Sequence, residues 1–346
     1  MTAHPAPAIR RTRIGEASVV WSPRVVAVAG LLLLALLAVG ALVLSTGTIA
    51  VPLPDVAAAL VGRGDATDVL VVRDLRLPRF VTGALVGACL GMSGAVFQSI
   101  TRNPLGSPDV IGFTTGAATG AIVQIILVGG GALATGAWAV GGGVACAALV
   151  YALSHRRGST GGYRLVLVGI GIGAILQAVN SLLITRADVD TAISAQLWLS
   201  GSLNVRTWDY VAPVLAGVLV LAPATLWFQR RLSLMEMGDD ASRQLGIRAE
   251  RVRLATVALA VALAAVAVAA AGPIAFVALA AAPLVKRLTR HPAPAIGSAA
   301  LMGALLLAGA DALTQLAPWN YAMPVGIMTG LLGGVYLAWL LGRSRI

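Results

Sequence analysis

The sequence predicts an all-α polytopic membrane protein of about ten transmembrane helices, on three observations. The 346 residues are 58% hydrophobic and only 11% charged, whereas soluble domains carry about 25% charge. Charge-free apolar segments recur along the chain, at 25–54, 80–101, 110–154, 165–185, 210–229, 254–285, 292–310 and 312–342. The cations between them alternate in density, as the positive-inside rule requires of a chain that crosses a bilayer repeatedly.

Each crossing needs about 20 apolar residues. The 110–154 segment is long enough for two helices, and Gly129-Gly130-Gly131 marks the turn between them. The 254–285 segment is broken at Gly272-Pro273 into one full helix and a shorter one. The predicted helices are therefore 25–45, 79–99, 110–128, 132–153, 164–184, 209–228, 254–271, 274–286, 296–313 and 324–342. They form a transmembrane domain over 25–342, flanked by a cytoplasmic tail over 1–24 and a short tail over 343–346. The N-terminal apolar run is too long for a cleavable signal and no A-x-A site follows it.

With both ends inside, the inner side holds Arg10, Arg11, Arg13, Arg24, Arg102, Arg156, Arg157, Arg164, the six arginines of 230–253, Lys286, Arg287, Arg290, Arg343 and Arg345, which is 19 cations. The outer side holds Arg63, Arg73, Arg76, Arg79, Arg186 and Arg206, which is six. A nine-helix arrangement scrambles this asymmetry over the last third of the chain. The net charge of +11 is thus accounted for by orientation, and no basic stripe with interleaved aromatics points to nucleic acid.

Gly83, Gly87 and Gly91, and again Gly326, Gly330 and Gly334, recur every four residues, a spacing that lets helix backbones approach closely in lipid. Cys89 and Cys146 lie in separate apolar spans and are expected as small core residues. No HExxH, no GxxxxGK[ST] and no Ser/His/Asp or Cys/His set occurs, so no catalytic residue, metal site or cofactor is expected. Asp311 is the main ionisable group inside a span, too little for a proton-coupled pump. Gln98, Gln124, Gln177, Asn180 and Gln315 either line a polar path or hydrogen-bond between helices.

Residues 229–253 form the long polar run of the chain. Asp239 and Asp240 suit the positive end of a short helix and Gly246 suits its stop. Mixed charge on one face, with Met237, Ala241 and Leu245 on another, is built to dock on a soluble partner. A transporter driven by ATP would then need its ATPase on another subunit.

Several spaced motifs carry a resemblance. They are Arg76-Leu77-Pro78-Arg79; Gly91-Met92-Ser93-Gly94 with Gln98; Arg102-Asn103-Pro104-Leu105-Gly106-Ser107-Pro108-Asp109 with Gly112; Trp198-Leu199-Ser200-Gly201-Ser202-Leu203; the Gly238–Gly246 loop; Gly272 to Leu279; Ala310-Asp311; and Pro324-Val325-Gly326. In order and spacing the chain resembles the permease subunits of bacterial iron-siderophore and vitamin B12 ABC importers, the FecCD type. Phe276 to Pro283 look closest to the second permease of ferric-enterobactin-type systems.

The resemblance implies a type II ABC importer permease fold in the bacterial cytoplasmic membrane. It implies a second related permease subunit, a cytosolic ATPase dimer, an extracytoplasmic substrate-binding protein and a ferric siderophore as cargo, with haem or cobalamin as the alternative within the family. An ion-coupled secondary transporter is the alternative of another class; it requires paired intramembrane acids. The loop residues Met235, Gly238, Asp239, Ala241, Ser242, Leu245 and Gly246 are implied to contact the ATPase, and Arg76 and Arg79 to meet carboxylates of the binding protein. Gln98, Gln177, Asn180, Trp198 and Ser200 are candidates for the translocation path; Trp198 is equally suited to interfacial anchoring. Leu284, Ala322 and Gln315 stand where the family often has His, Glu and Arg, which suggests specialisation within a heterodimer.

Overall fold

A computed structural model describes residues 10–14, 17–156, 159–160, 162–291, 293–316 and 323–343. Arg157, Ala322 and Arg345, named above, lie outside the described residues. The elements follow as a small antiparallel hairpin of β1 (Arg10–Ile14) and β2 (Ala17–Trp21), then α1 (Pro23–Ser45), α2 (Leu53–Leu60), α3 (Ala66–Val69), a π-wound stretch over Leu70–Arg76, and α4 (Leu77–Thr101). After a turn come α5 (Phe113–Val123, continued as π-helix over Gln124–Val128), α6 (Ala132–Ser154), the two-residue strands β3 (His155–Arg156) and β4 (Ser159–Thr160), α7 (Gly162–Arg186) and α8 (Val189–Leu199). The chain ends with α9 (Trp208–Met235), α10 (Asp239–Gln244), α11 (Ala249–Ala271), α12 (Val277–Thr289), α13 (Ile296–Leu316) and α14 (Val325–Arg343).

Each of the ten predicted helices has its counterpart, in α1, α4, α5, α6, α7, α9, α11, α12, α13 and α14. Among the described residues, seven helices are long and apolar enough to cross a membrane, and Phe113–Val128 and Val325–Trp339 are shorter apolar helices. The β1–β2 hairpin was not expected in the tail. Two boundaries move for backbone reasons. The third predicted helix begins at Phe113 rather than 110, because Gly112 turns left-handed at φ +72 after a 3-10 turn over Pro108–Ile111. The eighth begins at Val277 rather than 274, because Phe276 sits at φ +68 and the chain from Gly272 runs non-helical into it.

α4 is the axis of the bundle: its span is 72% buried, while the spans of α1 and α7 are 11% buried. It packs on α9, α11, α12 and α13, with Phe97 fully buried in the core beside Phe113 and Leu307. The glycine spacing explains the approach to α13. A Cβ on Gly87 would lie 2.3 Å from the Gly303 carbonyl oxygen, and one on Gly91 would lie 2.1 Å from that of Ala299. Only hydrogen at those positions lets the two backbones touch. The second glycine series divides instead. Gly326 abuts the Ser200 carbonyl, while among the described residues nothing lies within 4 Å of a Cβ on Gly330 or Gly334; Gly333, outside the spacing, lies under the Phe276 ring.

Opposite ends of the bundle gather the groups expected on opposite sides. At one end Arg24 Nε donates to the Leu288 carbonyl at 2.8 Å and Arg102 Nε to that of Met235 at 3.2 Å. At the other, Trp208 Nε1 donates to the Arg73 carbonyl at 3.1 Å, and Ser202 N to that of Ala271 at 2.8 Å. Below, the first is the basic end and the second the far end.

Candidate functional site

At the basic end, α9 runs past its apolar span to Met235, and the chain turns through Gly238 at φ +115 into α10. Leu245 N bonds to the Ala241 carbonyl at 3.2 Å, and Gly246, at φ +78, closes the helix with its N–H on the Arg243 carbonyl at 2.9 Å. A left-handed stop of this kind is a glycine position. The expected short helix with its Gly246 stop is therefore present.

The seven residues expected to face a partner are not on one surface. Met235 and Ser242 are buried; Met235 packs with Ala249, Val252, Phe228 and Ile247 into a small cluster that seats the loop on the bundle. Within the chain both of these expected contact residues are covered. Ala241 is half-buried, and Gly238 and Gly246 shape the backbone, with open space around each. Asp239 opens α10. The outward surface consists of Met237, 68% exposed, and Leu245, 59% exposed, beside the exposed Asp240–Arg243 pair at 3.3 Å. These two apolar side chains thus lie open next to a charged pair.

The loop is braced from behind by Glu250 in the first turn of α11. Its carboxylate accepts from Tyr151 Oη at 2.9 Å and from Arg253 Nη1 at 2.7 Å, with His155 Nδ1 at 3.6 Å. Tyr151 and His155 lie one helical turn apart at the end of α6, so this contact ties α6 to the α10–α11 junction. A Tyr-x-x-x-His spacing is visible in the sequence; its partner, some hundred positions on, is not.

At the far end, the two arginines expected to bind an external protein are engaged within the chain. Arg76 donates through Nη1 to the Leu44 carbonyl at 2.8 Å and through Nη2 to that of Ile49 at 2.5 Å, closing off the end of α1. Arg79 forms a two-pronged pair with Asp311, Nη2 to Oδ1 at 2.8 Å and Nε to Oδ2 at 3.0 Å. Gln315 Nε2 adds a third bond to Asp311 Oδ2 at 2.7 Å. Arg63 and Arg73 are exposed at this end.

Among the described residues no hydrogen bond joins any two of the five path candidates. Gln98 Nε2 donates to the Leu279 carbonyl at 3.0 Å, holding α4 to α12. Gln177 is exposed on α7, whereas Asn180 is buried with its side-chain oxygen unbonded. Trp198 is half-buried against the core, and Ser200 Oγ donates to the Gln196 carbonyl at 3.0 Å.

A family model described as the FecCD transport family matches residues 31–343. The chain belongs to the FecCD transport family. It is similar to the ferric enterobactin transport system permease protein FepG of Escherichia coli (strain K12), at 42% identity over 298 residues, covering 86% of this chain and 90% of that protein. It is also similar to the achromobactin transport system permease protein CbrC of Dickeya dadantii (strain 3937), at 33% identity over 282 residues and 80% of each chain. A solved structure described as an inward-facing conformation of a metal-chelate type ABC transporter superposes with a TM-score of 0.82 at 26% identity, covering 92% of this chain and 99% of that one. The chain is thus a multi-pass membrane permease of the ABC importer type, with the fold of that class, and its family is one of transport subunits rather than enzymes.

Proposed function

We propose that this permease carries a ferric siderophore across the bacterial cytoplasmic membrane, driven by ATP hydrolysed on a separate cytosolic ATPase dimer. The observation that carries the cargo is the 42% identity to the ferric enterobactin permease, sustained over 90% of its length. Coupling is supported by the braced α10 with Met237 and Leu245 outward. A short helix seated rigidly on two long ones passes a push from below into rotation of the bundle. Residues 229–253 are read as the cytoplasmic coupling loop, with both chain ends on that side.

A substrate-binding protein docks on the far end in this reading. Because Arg76 and Arg79 are bonded within the chain, exposed cations of this end such as Arg63 and Arg73 are the ones that can meet its carboxylates without first breaking a contact. The translocation path is read as forming against a second, related permease, since α7 leaves its polar Gln177 on an open face.

The test is co-expression with neighbouring gene products, followed by native mass spectrometry and uptake of ferric enterobactin into proteoliposomes. One copy of this chain, one related permease and two ATPases, with ATP-dependent iron uptake, is the expected result. Two copies of this chain in an active complex without a second permease would overturn the heterodimer; uptake of cobalamin or haem but no ferric siderophore would overturn the cargo.

A further inference from the structure

The basic end holds a cleft beside the coupling loop, which contributes Glu236 to its lining, and the transport reading gives its three cations no role. It measures about 750 Å³ and lies between the end of α4, the end of α12 and the link to α13, within the range of about 300–1,000 Å³ typical of small-ligand sites. Arg102, Lys286 and Arg287 line it, against the single acid Glu236. Its floor is apolar, with Pro283, Val285 and Pro294 among the lining residues. Lys286 is exposed, and its ammonium has no hydrogen bond or ion pair among the described residues. Arg287 stacks on Trp339 of α14 at 4.9 Å from the ring centroid.

Two observations set the cleft at the depth of the lipid headgroups. Tryptophan with a cation beside it is the usual composition of a membrane–water interface, and Trp339 is 45% exposed. Arg24, where α1 begins, is anchored on the Leu288 carbonyl next to the cleft wall, and α1 packs on α13 along one side while only 11% of its span is buried. A cationic pocket over an apolar floor, beside helices that face lipid, matches an anionic headgroup with its glycerol and first methylenes.

We infer that this cleft binds an anionic phospholipid of the leaflet at the basic end, its phosphate held by Arg102, Lys286 and Arg287. The inference is independent of the cargo and needs only that the chain spans a bilayer. Removing a cation near an anionic membrane surface lowers attraction about five-fold, so removing two lowers it on the order of twenty-five-fold.

The full-length chain in detergent is offered equimolar phosphatidylglycerol and phosphatidylcholine of the same acyl length, and retained lipid is counted by native mass spectrometry. Phosphatidylglycerol is expected to be retained selectively and to fall about twenty-five-fold in Lys286→Gln with Arg287→Gln. Arg186→Gln, at the far end, and the charge-conserving Lys286→Arg with Arg287→Lys should keep it. Equal retention of both lipids, unchanged retention in the double glutamine variant, or loss in the charge-conserving one overturns the inference. Displacement by millimolar inorganic phosphate would make this a small-anion site and also overturn it. So would a glutamine variant that keeps its lipid but sheds a co-expressed ATPase, which assigns the cleft to a protein.

Discussion

Arg79 of α4 and Asp311 of α13 are 232 positions apart and form a two-pronged ion pair. The Asp311 side chain is 4% exposed and that of Arg79 is 21% exposed. Two helices already in backbone contact at Gly87 and Gly303 are thereby pinned at their far ends.

Breaking that pair from one side should be costly. Removing one partner of a buried pair costs about 3–5 kcal/mol, because a desolvated charge is left behind, and the partial exposure of Arg79 places this case at the lower end. Arg79→Gln and Asp311→Asn should each lower the thermal midpoint in detergent, and the double variant should recover much of the loss. Additive losses would show that the two residues act separately. Arg79→Glu sets two carboxylates together, so weakened docking in that variant reports misfolding. Charge reversal at Arg63 and Arg73, read as binding-protein affinity at low and high salt, is the cleaner probe.

The glycine faces should respond unequally. Gly87→Ala and Gly91→Ala force a methyl into backbone atoms, and overpacking of this kind costs about 1–3 kcal/mol. Gly330→Ala meets nothing within 4 Å among the described residues and should leave the isolated chain as stable as before. Thermal unfolding of the three variants checks this. A Gly330→Ala chain that is stable alone but no longer assembles would place that face against a partner subunit.

Within the coupling loop, Met237→Asp with Leu245→Asp should preserve the fold and abolish co-purification of the ATPase. Met235→Asp should damage the fold itself, since it drives a charge into the cluster of Ala249, Val252 and Phe228. Gly246→Val should fail for a backbone reason, the left-handed conformation costing a non-glycine residue about 1–2 kcal/mol. Retained ATPase binding in the Met237/Leu245 variant would move the contact elsewhere.

Asp188 caps α8, its carboxylate accepting the Thr191 N–H at 3.0 Å. That bond holds its carboxyl below the usual carboxylate range. The cap is therefore intact above about pH 3.9, the ordinary aspartate value, and is lost as pH falls through the depressed folded-state value. The protection of the Thr191 amide, taken relative to its intrinsic exchange rate at each pH, should fall only in acid. Asp188→Asn should remove the pH dependence and keep the protection, while Asp188→Ala should lose the protection at every pH.

The ten helices were legible because their determinants are local: uncharged runs of spanning length, the Gly129–Gly131 turn, and the Gly272-Pro273 break. The α10 helix was legible for the same reason, in the Asp239-Asp240 start and Gly246 stop. The surfaces of that loop were not. Met235 and Ser242 read as partner-facing until α9, α10 and α11 are folded together, because burial depends on neighbours that sequence does not supply. Arg79 and Asp311 were each conspicuous alone; only the approach of α4 and α13 makes them a pair. The partners of Gln98 and Ser200 were not legible either, since a polar side chain within a span says that it needs a hydrogen bond, not where that bond is made.

Phe276 stands at φ +68 between two helices that continue one apolar segment, with its ring pressed on the bare backbone of Gly333. No methyl separates them, so a swing of α12 about the Gly272–Phe276 break would alter this contact with α14 as well as the packing of α12 on α4 and α13. On the other side of the break, the end of α11 is fastened to the Ser202 amide. The break is thus a joint with one arm held: a displacement of α12 would be felt at Gly333 of α14 and in α4 and α13, while the end of α11 keeps its own bond to Ser202.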